Sequence, residues 1–309
     1  PTVGKLIGGP VFAILLGMIL AFWKRPSAMD AGITFCSKKI LQYSIIFIGF
    51  GMNIRTVLAT GGQSLAVMLC TIAASLLTAF LMGRVLKVPS NTATLIGVGT
   101  SICGGSAIAA TAPVIEADDR EVAYSISTIF LFNILAVFIF PALGRVFHMT
   151  DTGFGIWAGT AINDTSSVVA AGFTFSDAAG ELATIVKLTR TLMIIPITLA
   201  LTVHRTWKRK QQGTAAASNY SIVKIFPWFV LGFLLTAILN STGWIPSAAS
   251  SWLNELGKFG IMVAMAGIGL NTNLKNLVKN GVRPIALGLC CWFVVAVVSL
   301  VVQQLLHLA

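Results

Sequence analysis

Charge is scarce in this sequence and acidic charge is scarcest: ten Asp and Glu stand against 21 Lys and Arg in 309 residues. With 10% charged residues, 56% hydrophobic residues and a mean hydropathy of +0.88, a soluble domain is excluded and a membrane protein remains. Histidine is nearly lacking too. His148, His204 and His307 lie at the ends of apolar segments, which leaves no His cluster for a metal or for catalysis. The five cysteines, Cys36, Cys70, Cys103, Cys290 and Cys291, are odd in number and unpatterned, fitting neither a disulfide framework nor a CxxC metal site. No Walker A sequence occurs, so ATP hydrolysis within the chain is not expected. GTSICG at 99–104 only approaches the GxSxG pattern, and no His inside an apolar segment is at hand to activate Ser101. Neither an enzyme nor a cofactor is expected.

What the chain has in abundance is apolar length. At roughly 20 apolar residues per span, it divides into ten membrane elements at about 5–23, 37–53, 62–86, 91–117, 120–144, 154–179, 181–206, 222–240, 250–270 and 282–306. The first run has no small-residue cleavage site before Lys24, so it reads as a span and not as a signal peptide. The one hydrophilic linker is KRKQQGTAAASN at 208–219, whose composition says flexible loop. A net charge of +11 would suggest nucleic acid in a soluble chain; here the cations fall in short loops and act as orientation signals. Lys24, Arg25, Lys38, Lys39, Arg84, Lys87, Arg205, Lys208, Arg209, Lys210, Lys224, Lys275, Lys279 and Arg283 fall on one side, expected to be cytoplasmic, against Arg55 and one of Arg120 or Arg145 on the other. Nucleic acid is not an expected partner; the bilayer is.

Two internal similarities organise the chain. GTSICGGSAIAATAP from Gly99 and GTAINDTSSVVAAG from Gly159 align without a gap at an offset of 60, matching at Gly99/Gly159, Thr100/Thr160, Ile102/Ile162, Ser106/Ser166 and Ala110/Ala170. FIGFGMN ending at Asn53 and AGIGLN ending at Asn271 relate the first three elements to the last three. The expected fold is thus all-α and polytopic, one transmembrane domain with scaffold-like ends at 1–90 and 220–309 and central repeats at 91–144 and 153–207. If elements four and six, 91–117 and 154–179, cross fully, no single two-fold axis relates both pairs. If they are re-entrant hairpins, both pairs become antiparallel and an inverted-repeat fold results. Broken helices that cross fully are the competing picture.

The interruptions carry the candidate site, because opened backbone is tolerated in a bilayer only where it is buried in protein or lines a cavity. Thr100, Ser101, Cys103 and Ser106 surround Gly104 and Gly105 in one; Asn163, Thr165, Ser166 and Ser167 surround Asp164 in the other. Asp164 reads as an N-cap, alone or combined with solute or ion contact. A helix restarting after Gly105 would aim free N–H groups and a positive dipole end at mid-membrane, which suits an anion. In element seven Lys187 and Arg190 share a helical face. Snorkelling explains Lys187 more readily than Arg190, and anion contact, a pathway role or a pair with Asp164 are the readings for Arg190. Asn133, in FLFNILAV, is expected to bond across to a hairpin more than to a solute.

TSICGGSAIAATAPVI at 100–115, NDTSSVVAAGF at 163–173 and GELATIVKLTR at 180–190 resemble the bacterial inner-membrane family designated sulfate exporters, of the YeiH type. The resemblance covers nearly the whole chain and implies a polytopic carrier with inverted repeats and interrupted helices. Other members carry His at the position of Asn163 and a further hydrophobic segment ahead of the first one here. The expected function is secondary transport of a small anion, sulfate or a sulfonate-like species, with H+ or Na+ as candidate coupling ions through Asp164. A cation antiporter or an anion channel of similar architecture is the alternative; a homodimer is compatible with either.

Overall fold

The computed structural model describes residues 9–23, 26, 28–211, 228–271 and 281–308, with backbone alone at 202 and 204–211. The linker residues 212–219, the start of the eighth expected span at 222–227 and the orientation cations Lys24, Arg25, Lys224, Lys275 and Lys279 lie outside it. The described residues are helical throughout, without strands.

The helices are α1 Gly9–Leu20, α2 Ala28–Gly51, α3 Ile54–Val85, α4 Ser90–Ser101, α5 Gly105–Ile115, α6 Asp119–Val146, α7 Asp151–Ala161, α8 Thr165–Phe175, α9 Asp177–Leu192, α10 Ile194–Gln211, α11 Trp228–Ser241, α12 Ser247–Asn271 and α13 Val282–Leu305. Six helical stretches are long and apolar enough to cross a membrane: α2, α3, α6, α9 running on into α10 as far as Leu201, α12 and α13. The chain is therefore an all-helical polytopic membrane protein. Two boundaries depart from expectation. The third element begins at Ile54 and not near 62, because the Asn53 side chain accepts from the Arg55 N–H at 2.9 Å and starts the helix there. The seventh element bends at Met193, since Pro196 has no N–H to give the Leu192 carbonyl.

Each of the two interrupted elements folds back on itself. Rings of Phe154 in α7 and Phe175 at the end of α8 stack at 4.1 Å between centroids, and Ser176 Oγ donates to Asp151 Oδ1 at 2.6 Å. A straight run over those 21 residues would separate the rings by about 30 Å at 1.5 Å per residue. In the other element Ile108 of α5 packs onto Gly99 of α4, and Asn91 Nδ2 donates to Glu121 Oε2 at 3.1 Å, joining the start of α4 to the start of α6. Both elements are entered through the same device. Lys87 (φ 53°) and His148 (φ 48°) take the left-handed conformation that ends α3 and α6, with Val88 N–H on Gly83 O and Met149 N–H on Gly144 O, both at 2.9 Å.

Around this centre, α1 lies on α12, α11 on α2, and α3 on α13. Exchanging the first three helices for the last three leaves that set of pairings unchanged. The α1–α12 crossing is set by two glycines: Gly17 and Gly269 come so close that a Cβ on Gly269 would stand 2.3 Å from the Ile14 carbonyl oxygen.

Candidate functional site

The two breaks occur at equivalent residues. Helix α4 stops at Ser101 with Ile102 as its cap and α5 restarts after Gly104; α7 stops at Ala161 with Ile162 as its cap and α8 restarts after Asp164. Ile102 and Ile162, and the N-caps Gly104 and Asp164, are each 60 residues apart. The breaks also meet in space: a Cβ built on Gly104 would lie 3.6 Å from both Asp164 Cβ and Asn133 Nδ2.

Four helix ends converge there, and their last carbonyls and first N–H groups have no intrahelical partners. Helix α9 closes the two C-terminal ends. Lys187 Nζ donates to Ile102 O at 2.7 Å and Ile162 O at 3.0 Å. Arg190 donates through Nε to Ser101 O and through Nη2 to Thr100 O, both at 2.7 Å, and through Nη1 to Thr160 O. Both side chains are completely buried, and their positive charge meets the negative ends of two helix dipoles. The same two cations thus join equivalent carbonyls of both repeats, 100 with 160 and 102 with 162.

The two N-terminal ends differ. At α8, Asp164 is the N-cap: its Oδ2 accepts from Ser166 N–H at 3.0 Å and from Ser166 Oγ, while its own N–H donates to Asn133 Oδ1 at 3.2 Å. At α5 the equivalent residue is Gly104, with φ 71° and no side chain to cap the helix. Cys103 Sγ and Ser106 Oγ lie 2.7 Å apart beside that end. Near it several buried polar atoms have no partner among the described residues: Asn133 Nδ2, both side-chain polar atoms of Asn163, and Thr100 Oγ1.

A cavity of about 920 Å³ reaches this point. Cys103, Gly105, Ser106, Asp164, Thr165 and Ser166 line it from the breaks; Ser37, Lys38, Lys39, Trp228 and Asn271 line it from α2, α11 and α12. Of the residues expected at the site, these six reach the cavity. Thr100, Ser101, Gly104, Asn163, Ser167, Asn133, Lys187 and Arg190 stand around the breaks without lining it, and Arg190 Nε, Nη1 and Nη2 each donate to a carbonyl. Lys38 and Lys39 were legible only as orientation charges. They sit in a π-helical turn, Cys36–Ile40, which no periodicity announces, and it is this turn that brings them to the cavity.

A polytopic helical membrane protein with two interrupted, folded-back helices joined in its interior is the class that fold and site define. Within it the chain belongs to the family described as Conserved hypothetical protein 698, whose profile matches residues 2–288. It is 51% identical to a UPF0324 membrane protein of Streptococcus mutans serotype c over 97% of this chain and 91% of that protein. To UPF0324 membrane protein FN0533 of Fusobacterium nucleatum the identity is 45%, over 97% of this chain and 92% of that one. To UPF0324 membrane protein SpyM3_0740 of Streptococcus pyogenes serotype M3 it is 50%, over 96% and 90%. The membership agrees with the three motifs read from the sequence; the relatives' names give a membrane location and no substrate.

Proposed function

We propose that the chain is a secondary transporter of a small anion across the bacterial inner membrane, with the solute held between the two breaks at mid-membrane. The observation that carries this reading is the unequal treatment of the four helix ends. Two C-terminal ends are met by Lys187 and Arg190 and one N-terminal end by Asp164, while the N-terminal end of α5 has no side-chain cap and opens on the cavity. Such an end attracts negative charge.

On this reading the pieces 90–115 and 151–175 are re-entrant hairpins, entering from opposite faces because α6 crosses between them. Ten membrane elements then form an inverted repeat, in which the helices before α4 and after α10 make a scaffold around the central pair. The side of the cavity bearing Lys38 and Lys39 faces the cytoplasm. Arg190 is a clamp on the hairpin tips and not a solute ligand, because its bonds go to carbonyls. Asp164, the only acid at the breaks, is the group through which H+ or Na+ coupling would run. A cation antiporter is disfavoured, as that one carboxylate is engaged in capping α8.

Purified protein in liposomes tests the reading with labelled acetate and sulfate as probes. Saturable uptake with counterflow is expected; uptake linear in concentration would indicate a channel, and no uptake of any anion would overturn the proposal.

A further inference from the structure

The cavity has a second property that the anion reading leaves unused: most of its wall is hydrocarbon. Ile45, Ile126, Phe130, Ile134, Ile194 and Phe229 all face it. The Phe130 ring comes to the helix end itself, with Cε2 3.8 Å from where a Cβ on Gly105 would be. A volume of about 920 Å³ lies at the upper end of the few hundred to ~1,000 Å³ of sites that enclose organic ligands. An aromatic ring against the anion-binding amides is a poor neighbour for a compact, doubly charged ion, which would exchange hydration water for hydrocarbon.

The repeat supplies the geometry of the charged group. At Asp164 a carboxylate stands off the first turn of α8 and accepts the Ser166 N–H. At the equivalent Gly104 that carboxylate is missing, and Asn133 Nδ2, on a residue 2% exposed, is an unpartnered donor 3.6 Å from where the side chain would begin. The nearest neighbours of that Cβ position, on Ile129, Asn133 and Asp164, lie at 3.4–3.6 Å.

Resting on the anion reading, we infer that the solute is a monovalent organic anion. Its carboxylate meets the first turn of α5 at Gly105 and Ser106, the counterpart of the turn that Asp164 caps in the other repeat, and its apolar body lies along Phe130, Ile134 and Ile194. Lys187 holds the two breaks together through Ile102 O and Ile162 O.

Binding to the purified full-length chain, by calorimetric titration or thermal shift, distinguishes this from the simpler reading. The probes are sulfate, acetate, methanesulfonate, hexanoate and benzenesulfonate. Hexanoate should bind at least about tenfold more tightly than acetate, as four buried methylenes favour it; benzenesulfonate should likewise exceed methanesulfonate, and sulfate should trail hexanoate. Phe130→Ala and, separately, Ile134→Ala should narrow the hexanoate-to-acetate ratio. Sulfate binding as tightly as hexanoate, or acetate equal to hexanoate, overturns the inference and leaves the anion reading standing. Binding of none of the five overturns both.

Discussion

Thr100 and Thr160 are joined through one guanidinium: Arg190 donates Nη2 to the carbonyl of the first and Nη1 to that of the second. The two threonines are equivalent in the internal repeat, so the cation sits where the repeats meet and serves both alike. Removing it strands three buried carbonyls, Thr100, Ser101 and Thr160, at about 1–3 kcal/mol each. Arg190→Ala should therefore lower the melting midpoint in detergent by roughly 10 °C or more. Arg190→Lys should recover part of the loss, since it keeps the charge without the fork. A wild-type midpoint for Arg190→Ala would show these contacts to be dispensable.

Gly105→Asp should block the site without harming the fold. Among the described residues, Phe130 Cε2 at 3.8 Å is the only atom within 4 Å of a Cβ there, and an acid in the first turn stabilises a helix. The expected result is a midpoint at or above wild type with solute binding lost in titration. Unimpaired binding would move the anion elsewhere.

Asp164→Asn keeps an N-cap but removes the charge beside the uncapped end. Stability should change by less than about 1 kcal/mol, because Asn caps nearly as well as Asp, while anion affinity should rise several-fold and the H+ or Na+ dependence of liposome uptake should change. If affinity and ion dependence are both unaltered, Asp164 is a cap and nothing more.

Gly269→Val probes the scaffold where it meets the cavity, since Ile268 and Asn271 on either side of it line the cavity. A branched side chain there would crowd the Ile14 carbonyl oxygen and force α1 away from α12. A drop in midpoint of several degrees is expected, together with weaker solute binding. A wild-type midpoint would show that the α1–α12 contact yields without cost.

The offset of 60 residues was legible because a break needs the same residue kinds in each repeat, and it falls on the caps Ile102 and Ile162 and on Gly104 and Asp164. Apolar length likewise placed the long helices. The work of Arg190 was not legible: sequence spacing puts it on a face with Lys187, but which acceptors it meets depends on how two distant hairpins dock. Nor was the cavity wall, since Phe130 and Ile134 look like any lipid-facing residues of α6 until α4 and α5 fold back beside them. Lys38 and Lys39 looked like topology signals because their approach to the cavity depends on a π turn, which leaves no mark in the hydrophobic pattern.

The clamp on the two tips has a mechanical corollary. Five bonds from neighbouring turns of α9 fasten carbonyls of both hairpins, so neither tip can swing independently without stripping buried partners. In a carrier of the kind proposed, a rearrangement that turned the cavity toward the opposite face of the membrane would carry both tips and α9 as one rigid block. The yielding points then belong at the block's edges, in turns such as those at Lys87 and His148.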